Sequence, residues 1–360
     1  MPINGAPVLA RSGATFTRCN PLDGQPARLE STPSLLRWIS PVMYSHGYPF
    51  DPRYGLTLDE LLRIEAPPPP DGLADFWRDL HRRARAVDPA PTVRELATPR
   101  QAPRRVFEVR YRSLGGADVG AWLSLPRDGE IRRAVVVGHG YGGRDGPDEQ
   151  LQLADAALLF PCARGIALSA CAQIPADPMR HVLHGIEGRE RYVLGGCAAD
   201  LVWCAASVLQ LLHPQAAGCL DYVGISFSGG IGALALPWDE RFRRLHLSVP
   251  TFGHHPWRLR CPCVGSGEAV RQRQACDAAI LGTITWFDAA CTARHEQRPA
   301  LVAAALFDPA VPPPGQFAVY NALGGPKELF VLESGHFAHP GSAAEEARLL
   351  DAITRFLAPA

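Results

Sequence analysis

The sequence carries no net charge. Its 360 residues hold 36 lysines and arginines against 36 aspartates and glutamates. That balance argues against a nucleic-acid partner or an anionic membrane surface, both of which call for clustered positive charge. Lysine is scarce, and arginine carries almost all of the positive charge. Residues 1–20 lack the charged start and long apolar core of a signal peptide. No later segment offers about 18 consecutive apolar residues, the length of a membrane span. Both absences lead to the expectation of a soluble protein kept in the cytoplasm. The ten cysteines are scattered, and Cys261-Pro262-Cys263 is their only close pair. No second pair stands at zinc-site spacing, so no structural metal is expected. His254-His255 has no suitably spaced third ligand either. Internal repeats are absent.

What is present is an alternation of short apolar runs with helical segments, the mark of an α/β fold. Residues 1–55 are rich in Pro, Gly, Ser and Thr, with Trp38, Tyr44, Tyr48 and Phe50 among them. They read as an irregular extension with one short helix near Ser34 to Ile39, too aromatic to be a free tail. Leu56 to Ile64 reads as a short helix stopped by Pro67 to Pro70. Asp71 to Val87 has the spacing of an amphipathic helix. Strands are expected at Val106–Tyr111, Val119–Leu125, Ala134–Gly138, Ala156–Phe160, Leu220–Gly224, Leu245–Val249, Leu301–Phe307 and Glu328–Leu332. Long helices are expected at Leu194–Leu212 and Ala343–Leu357. One domain then spans 56–360, with an insertion at about 251–300.

The informative stretch is Leu220 to Gly230, an apolar run that reaches Gly224-Ile225-Ser226-Phe227-Ser228-Gly229-Gly230 and passes into an Ala/Leu-rich segment. Strand, sharp turn and helix with serine at the turn describe a nucleophile elbow, Gly-x-Ser-x-Gly. Centred on Ser226 the last glycine is replaced by serine; centred on Ser228 the first one is. Both serines are candidates on this evidence. A serine needs a base, and the base an orienting acid. Asp308 directly follows the run Leu301–Phe307, and His336 follows Glu328–Leu332, which gives the chain order Ser, Asp, His. His339 competes as the base and lies three positions further from the strand. Oxyanion donors are expected from the backbone N–H of Phe227 and from Gly138-His139-Gly140-Tyr141-Gly142-Gly143, with Tyr141 as the choice. That glycine-rich loop lacks the Lys-Ser/Thr of a phosphate cradle. No cofactor is expected.

These motifs together resemble the acetyl xylan esterase and cephalosporin-C deacetylase family, carbohydrate esterase family 7, from about Tyr54 to the end. Pro70–Trp77 resembles the family's entry segment, and His139–Gly143 its oxyanion loop. Gly185-Ile186 through Asp200 resembles the approach to its long helix. Trp286-Phe287-Asp288-Ala289 resembles a Tyr-Phe-Asp segment. Asp308 falls on the family's acid, Gly335-His336 on its base, and Ser226 on the nucleophile of Gly-Gly-Ser-Gln-Gly-Gly. The resemblance implies an α/β-hydrolase fold with a mostly parallel sheet and a Ser226–Asp308–His336 triad. It also implies deacetylation of acetylated xylo-oligosaccharides or similar small molecules, and a ring-shaped homo-oligomer, often a hexamer. Two departures stand out. Phe227-Ser228 replaces Gln-Gly, and Arg164-Gly165-Ile166 replaces Arg-Gly-Gln. Arg164 is expected to hold surrounding loops, and Trp286 and Phe337 are candidates for lining a pocket, although either is equally a core residue by type. The rival readings are another ester, thioester or lactone as substrate, and a diverged binding module without turnover.

Overall fold

The computed structural model describes residues 44–358, except 149, 152 and 217. Their nine strands form one sheet in the order β1-β2-β3-β5-β4-β6-β7-β8-β9. The strands are β1 (Thr92–Glu95), β2 (Arg104–Arg112), β3 (Asp118–Pro126), β4 (Arg133–Val137), β5 (Ala156–Pro161), β6 (Leu220–Ile225), β7 (Phe242–Ser248), β8 (Ala300–Ala305) and β9 (Lys327–Leu332). The pairings up to β3–β5 are antiparallel, and all later ones are parallel. Strands β4, β6 and β8 are buried along their whole length. This is why they read as apolar runs without alternation: helices cover both faces of the sheet. Charges in such strands need partners. Arg133 is held by Asp155 and the Leu357 carbonyl, and Asp221 by Arg243 at 3.0 Å.

Six longer helices dress the sheet: α1 (Leu73–Arg85), α2 (Val193–Leu212), α3 (Phe227–Ala235), α4 (Ser266–Cys276), α5 (Pro313–Ala322) and α6 (Ser342–Phe356). In α1 the residues Leu73, Trp77, Leu80 and Ala84 share one buried stripe, as helical spacing requires. Helix α2 is long and apolar enough to cross a membrane, contrary to the sequence expectation. Yet 89% of its apolar window is buried inside the fold, where it serves as the core helix. Its turn at Ala199–Cys204 is π-helical.

The structure adds β1, a four-residue edge strand exposed throughout, which carries no apolar signal. It also reduces the expected helix over Leu56–Ile64 to the single turn Leu58–Leu61, closed by a Thr57–Glu60 capping box. Between β7 and β8 lie α4 and several shorter helices. The helix expected near Ser34–Ile39 lies outside the described residues. Further on, Tyr44, His46 and Tyr48 lie over Phe307 and Phe337, Phe50 stacks on Tyr48, and Asp308 N–H donates to the Pro52 carbonyl at 3.1 Å.

Strand order positions the site. From β4 the chain moves to β5 on one side, and β6 returns on the other side of β4. The loops after β4 and β6 therefore diverge at the carboxyl ends of the strands, where open α/β sheets form their ligand crevice.

Candidate active site

Ser226 stands between β6 and α3 with φ 52° and ψ −107°. This left-handed conformation is strained for a residue with a side chain and presents Oγ above the strand end. Small neighbours make it possible. A Cβ on Gly224 would come within 2.7 Å of the Ser228 carbonyl, and one on Gly229 within 2.9 Å of the Ser248 carbonyl. The turn is tied down by Ser226 N–H donating to Ser248 O at 2.8 Å and by Gly230 and Thr251 N–H donating to Ser226 O.

Ser228 points the other way. It is fully buried, accepts the Ile225 N–H at 2.9 Å and donates to the Ile225 carbonyl at 3.1 Å. Geometry thus separates the two candidate serines. Ser226 is the presented hydroxyl, and Ser228 is a brace inside the elbow.

His336 Nε2 lies 2.9 Å from Ser226 Oγ, and its Nδ1 lies 2.9 Å from Asp308 Oδ2 and 3.1 Å from Oδ1. With a carboxylate at Nδ1, that nitrogen carries the proton, leaving Nε2 as the acceptor for the serine hydroxyl. Burial pushes the imidazole pKa down, but the charge and hydrogen bond of Asp308 more than offset it. The result is a pKa above the ordinary 6.5. Asp308 is fully buried. Its Oδ1 accepts the N–H groups of Ala310 (2.8 Å) and Val311 (2.9 Å), and Oδ2 accepts from Gln316 Nε2 at 3.0 Å. Gln316, on α5 and also buried, is fixed in turn by the Ala305 N–H and the Val311 carbonyl. It is a positioning residue that the sequence reading missed. A lone glutamine inside the otherwise apolar start of α5 was the available signal. The rival base His339 faces Glu333 and Glu345 at 3.7 and 3.5 Å and contacts Tyr44.

The N–H groups of Tyr141 and Phe227 donate to no protein acceptor among the described residues, as an oxyanion hole requires. Gly140 lies against Ser226, 4.0 Å from its Cβ by a constructed methyl. The loop is set from behind. His139 Nε2 accepts the Ala163 N–H at 3.0 Å, so its Nδ1 carries the proton and donates to Gly140 O at 2.6 Å. Burial drives the His139 pKa down to about 3, which keeps that arrangement neutral. Tyr141 stacks on Phe227 at 4.2 Å and donates its hydroxyl to His181 Nδ1 at 3.0 Å. His181 Nε2–H donates to the Arg164 carbonyl at 2.9 Å.

Arg164 sits at the base of that relay. Its guanidinium grips both oxygens of buried Asp200 at 2.8 Å, and its NH2 also donates to the Leu114 carbonyl. Asp200 lies in the π-helical turn of α2. Arg164 thus ties the loop after β5 to α2 and to the Leu114 carbonyl. Phe337 follows His336 directly, but its ring packs on Phe307, Tyr44 and Tyr48. Trp286 is placed elsewhere. It lies against Phe76 of α1 and under the Arg189 guanidinium at 3.9 Å, with no recorded contact to the triad. His254 and His255 are spent on local structure, accepting from Trp257 N–H and meeting the Phe287 carbonyl. Both backbone N–H groups are held by Asp288.

A serine, imidazole and carboxylate in hydrogen-bonded sequence at three strand ends of such a sheet define a serine hydrolase of the α/β-hydrolase fold. The family model for acetyl xylan esterase (AXE1) matches residues 53–193 and 269–355, and the chain belongs to that family. Asp308, His336, Tyr141 and Arg164 lie inside the matched segments. Ser226 and its unusual Phe227-Ser228 fall between them. Among solved structures, the acetyl xylan esterase from Paenibacillus sp. R4 is similar over 82% of this chain and 99% of its own, with 20% identity and a TM-score of 0.70. Acetyl xylan esterase 1 from Thermoanaerobacterium sp. JW/SL YS485 is similar over 86% and 98%, with 17% identity and a TM-score of 0.71. The Pyrococcus horikoshii acylaminoacyl peptidase shares the fold over 76% of this chain and 41% of its own, with 16% identity and a TM-score of 0.52.

Proposed function

We propose that this chain is a serine esterase that removes acetyl groups from acetylated xylo-oligosaccharides or similar small molecules. The observation that carries the reading is the continuous chain Ser226 Oγ–His336–Asp308, with hydrogen bonds of 2.9 Å on both sides of the imidazole. His336 Nε2 takes the Ser226 proton as Oγ attacks the acetyl carbonyl. The N–H groups of Tyr141 and Phe227 meet the oxyanion. His336 then gives its proton to the leaving alcohol oxygen, and water repeats the sequence to release acetate and restore the serine. Both oxyanion donors are backbone groups, so replacing the family's glutamine by Phe227 leaves that function in place. Family membership supports the acetyl group. A homo-oligomer and a cytoplasmic location complete the proposal. The first rests on the family likeness, the second on the nine described cysteines being free thiols.

The test is hydrolysis of 4-nitrophenyl esters with acyl chains of two to eight carbons by wild type, Ser226→Ala and Ser228→Ala. Turnover highest on acetate and lost in Ser226→Ala is expected. Absence of turnover on every ester, or a preference for long chains, overturns the reading.

A further inference from the structure

Most buried and half-buried arginines of this fold are well partnered. Arg164 has Asp200, Arg133 has Asp155, Arg241 has Asp239 and Arg298 has Glu296. Arg144 keeps a carbonyl partner, Gly138, at 2.7 Å. Arg258 departs from this pattern. It is 5% exposed, yet its guanidinium has no carboxylate within ion-pair distance among the described residues. Its recorded hydrogen bond is a long one, 3.5 Å from NH1 to His255 Nδ1, and Nε has no acceptor. Asp288 acts on it electrostatically but already accepts the N–H groups of His254, His255, Ala290 and Cys291. A guanidinium carries five donors and a permanent charge, and leaving such a group buried without a counter-charge is costly.

Its surroundings belong to the active site. The guanidinium carbon lies 5.4 Å over the Phe252 ring. Phe252 in turn meets the ring of Phe227, the neighbour of Ser226, at 6.1 Å. Tyr141 of the oxyanion loop packs on the same Phe227 ring at 4.2 Å. A Cβ built on Gly267 would lie 3.3 Å from Arg258 NH2 and 3.5 Å from the carbonyl of Ala310, in the turn that starts at Asp308. The cation is thus bracketed by the elbow and the acid turn.

We propose that Arg258 receives a carboxylate carried by the ester substrate, so that anionic esters are preferred over neutral esters of the same shape. The proposal rests on the esterase reading above. A carboxylate matches the planar donor fork of arginine, whether it sits on the alcohol or on the acyl part.

Two matched pairs separate those positions: 4-acetoxybenzoate against 4-acetoxybenzamide, and 4-nitrophenyl hemisuccinate against 4-nitrophenyl succinamate. In one pair the wild type should favour the acid in kcat/KM by at least about tenfold, since a site built for a polar group discriminates against its absence. Arg258→Met should bring that ratio to near one, and Arg258→Lys should keep part of it. A binding measurement needs no turnover: calorimetric titration of Ser226→Ala protein with 4-hydroxybenzoate, succinate and their amides. One acid should bind and its amide should not, with binding lost when Arg258→Met is added. Ratios near one in both wild-type pairs, with no selective acid binding, overturn the proposal even if Arg258→Met does not fold. Hydrolysis without acid preference defeats only this inference, whereas selective acid binding without hydrolysis of any ester defeats the esterase reading and leaves Arg258 as an anion site.

Discussion

Gly138 and Ser228 are shaped for each other: a Cβ on Gly138 would overlap the Ser228 side chain and reach within 3.1 Å of the Tyr222 hydroxyl. The serine at the crowded elbow position is therefore accommodated by a glycine at the end of β4. Gly138→Ala alone should destabilise the protein by about 1–3 kcal/mol through overpacking. Ser228→Gly should cost a similar ~1–3 kcal/mol by leaving the buried Ile225 N–H without its acceptor. The double variant should be less destabilised than the sum, because the glycine makes room for the new methyl. Urea unfolding of the four proteins measures the cycle, and strict additivity would show that the two positions do not share this space.

The base gives a pH signature. Because Asp308 holds the His336 pKa above 6.5, the imidazole keeps its proton to a higher pH than a free histidine, and only its neutral form can accept the Ser226 proton. The kcat/KM of acetate-ester hydrolysis should rise with pH through an inflection above 6.5. Asp308→Asn removes the raising influence and leaves the lowering effect of burial. Its residual activity, lower by on the order of 10³–10⁴-fold, should rise through an inflection below 6.5. An unmoved inflection in Asp308→Asn would mean that another group titrates.

Gln316 predicts a smaller effect of the same kind. Gln316→Leu takes one donor from Asp308 Oδ2 and strands the buried Ala305 N–H. We expect a kcat roughly tenfold lower with KM little changed, and a stability loss of ~1–3 kcal/mol. Gln316→Glu tests the direction of the hydrogen bond, since a second carboxylate facing Asp308 disfavours ionisation of both. It should lower kcat without recovery at acid pH, because any pH that neutralises the new carboxylate also protonates His336, and retention of wild-type activity at neutral pH would rule out the positioning role.

The sequence made the candidate triad legible because Ser226 and Asp308 directly follow apolar runs and His336 comes four residues after one, and buried parallel strands leave such runs in plain view. The serine ambiguity at 226 and 228 came from local pattern alone. It is resolved by φ and by the inward hydrogen bonds of Ser228, which no spacing reveals. Arg164 was visible as a loop holder, but its partner was not. Asp200 is 36 positions away and is part of the π-helical turn of α2. Trp286 stayed open between pocket and core because an aromatic residue in an insertion reads the same in either place; its ring lies against Phe76 of α1. Strand β1 escaped notice because Thr92-Val93-Arg94-Glu95 has no buried face to pattern it.

The relay from Asp200 to Tyr141 separates backbone from side-chain roles in the oxyanion loop. If the Tyr141 N–H is the donor, its phenol serves only to hold the loop through His181. Tyr141→Phe keeps the N–H and the stacking on Phe227, so kcat should fall by no more than about tenfold, the worth of one hydrogen bond. Arg164→Lys cannot reproduce the two-pronged grip on Asp200. It leaves a buried carboxylate poorly paired, with a stability loss of about 3–5 kcal/mol, and it loosens the same loop from below. Adding Asp200→Asn to Arg164→Lys removes the stranded charge and should return part of that stability without returning kcat. Thermal unfolding and acetate-ester kinetics on the three variants read the two effects separately. A loss of kcat in Tyr141→Phe as large as in Ser226→Ala would instead assign the phenol itself to the chemistry.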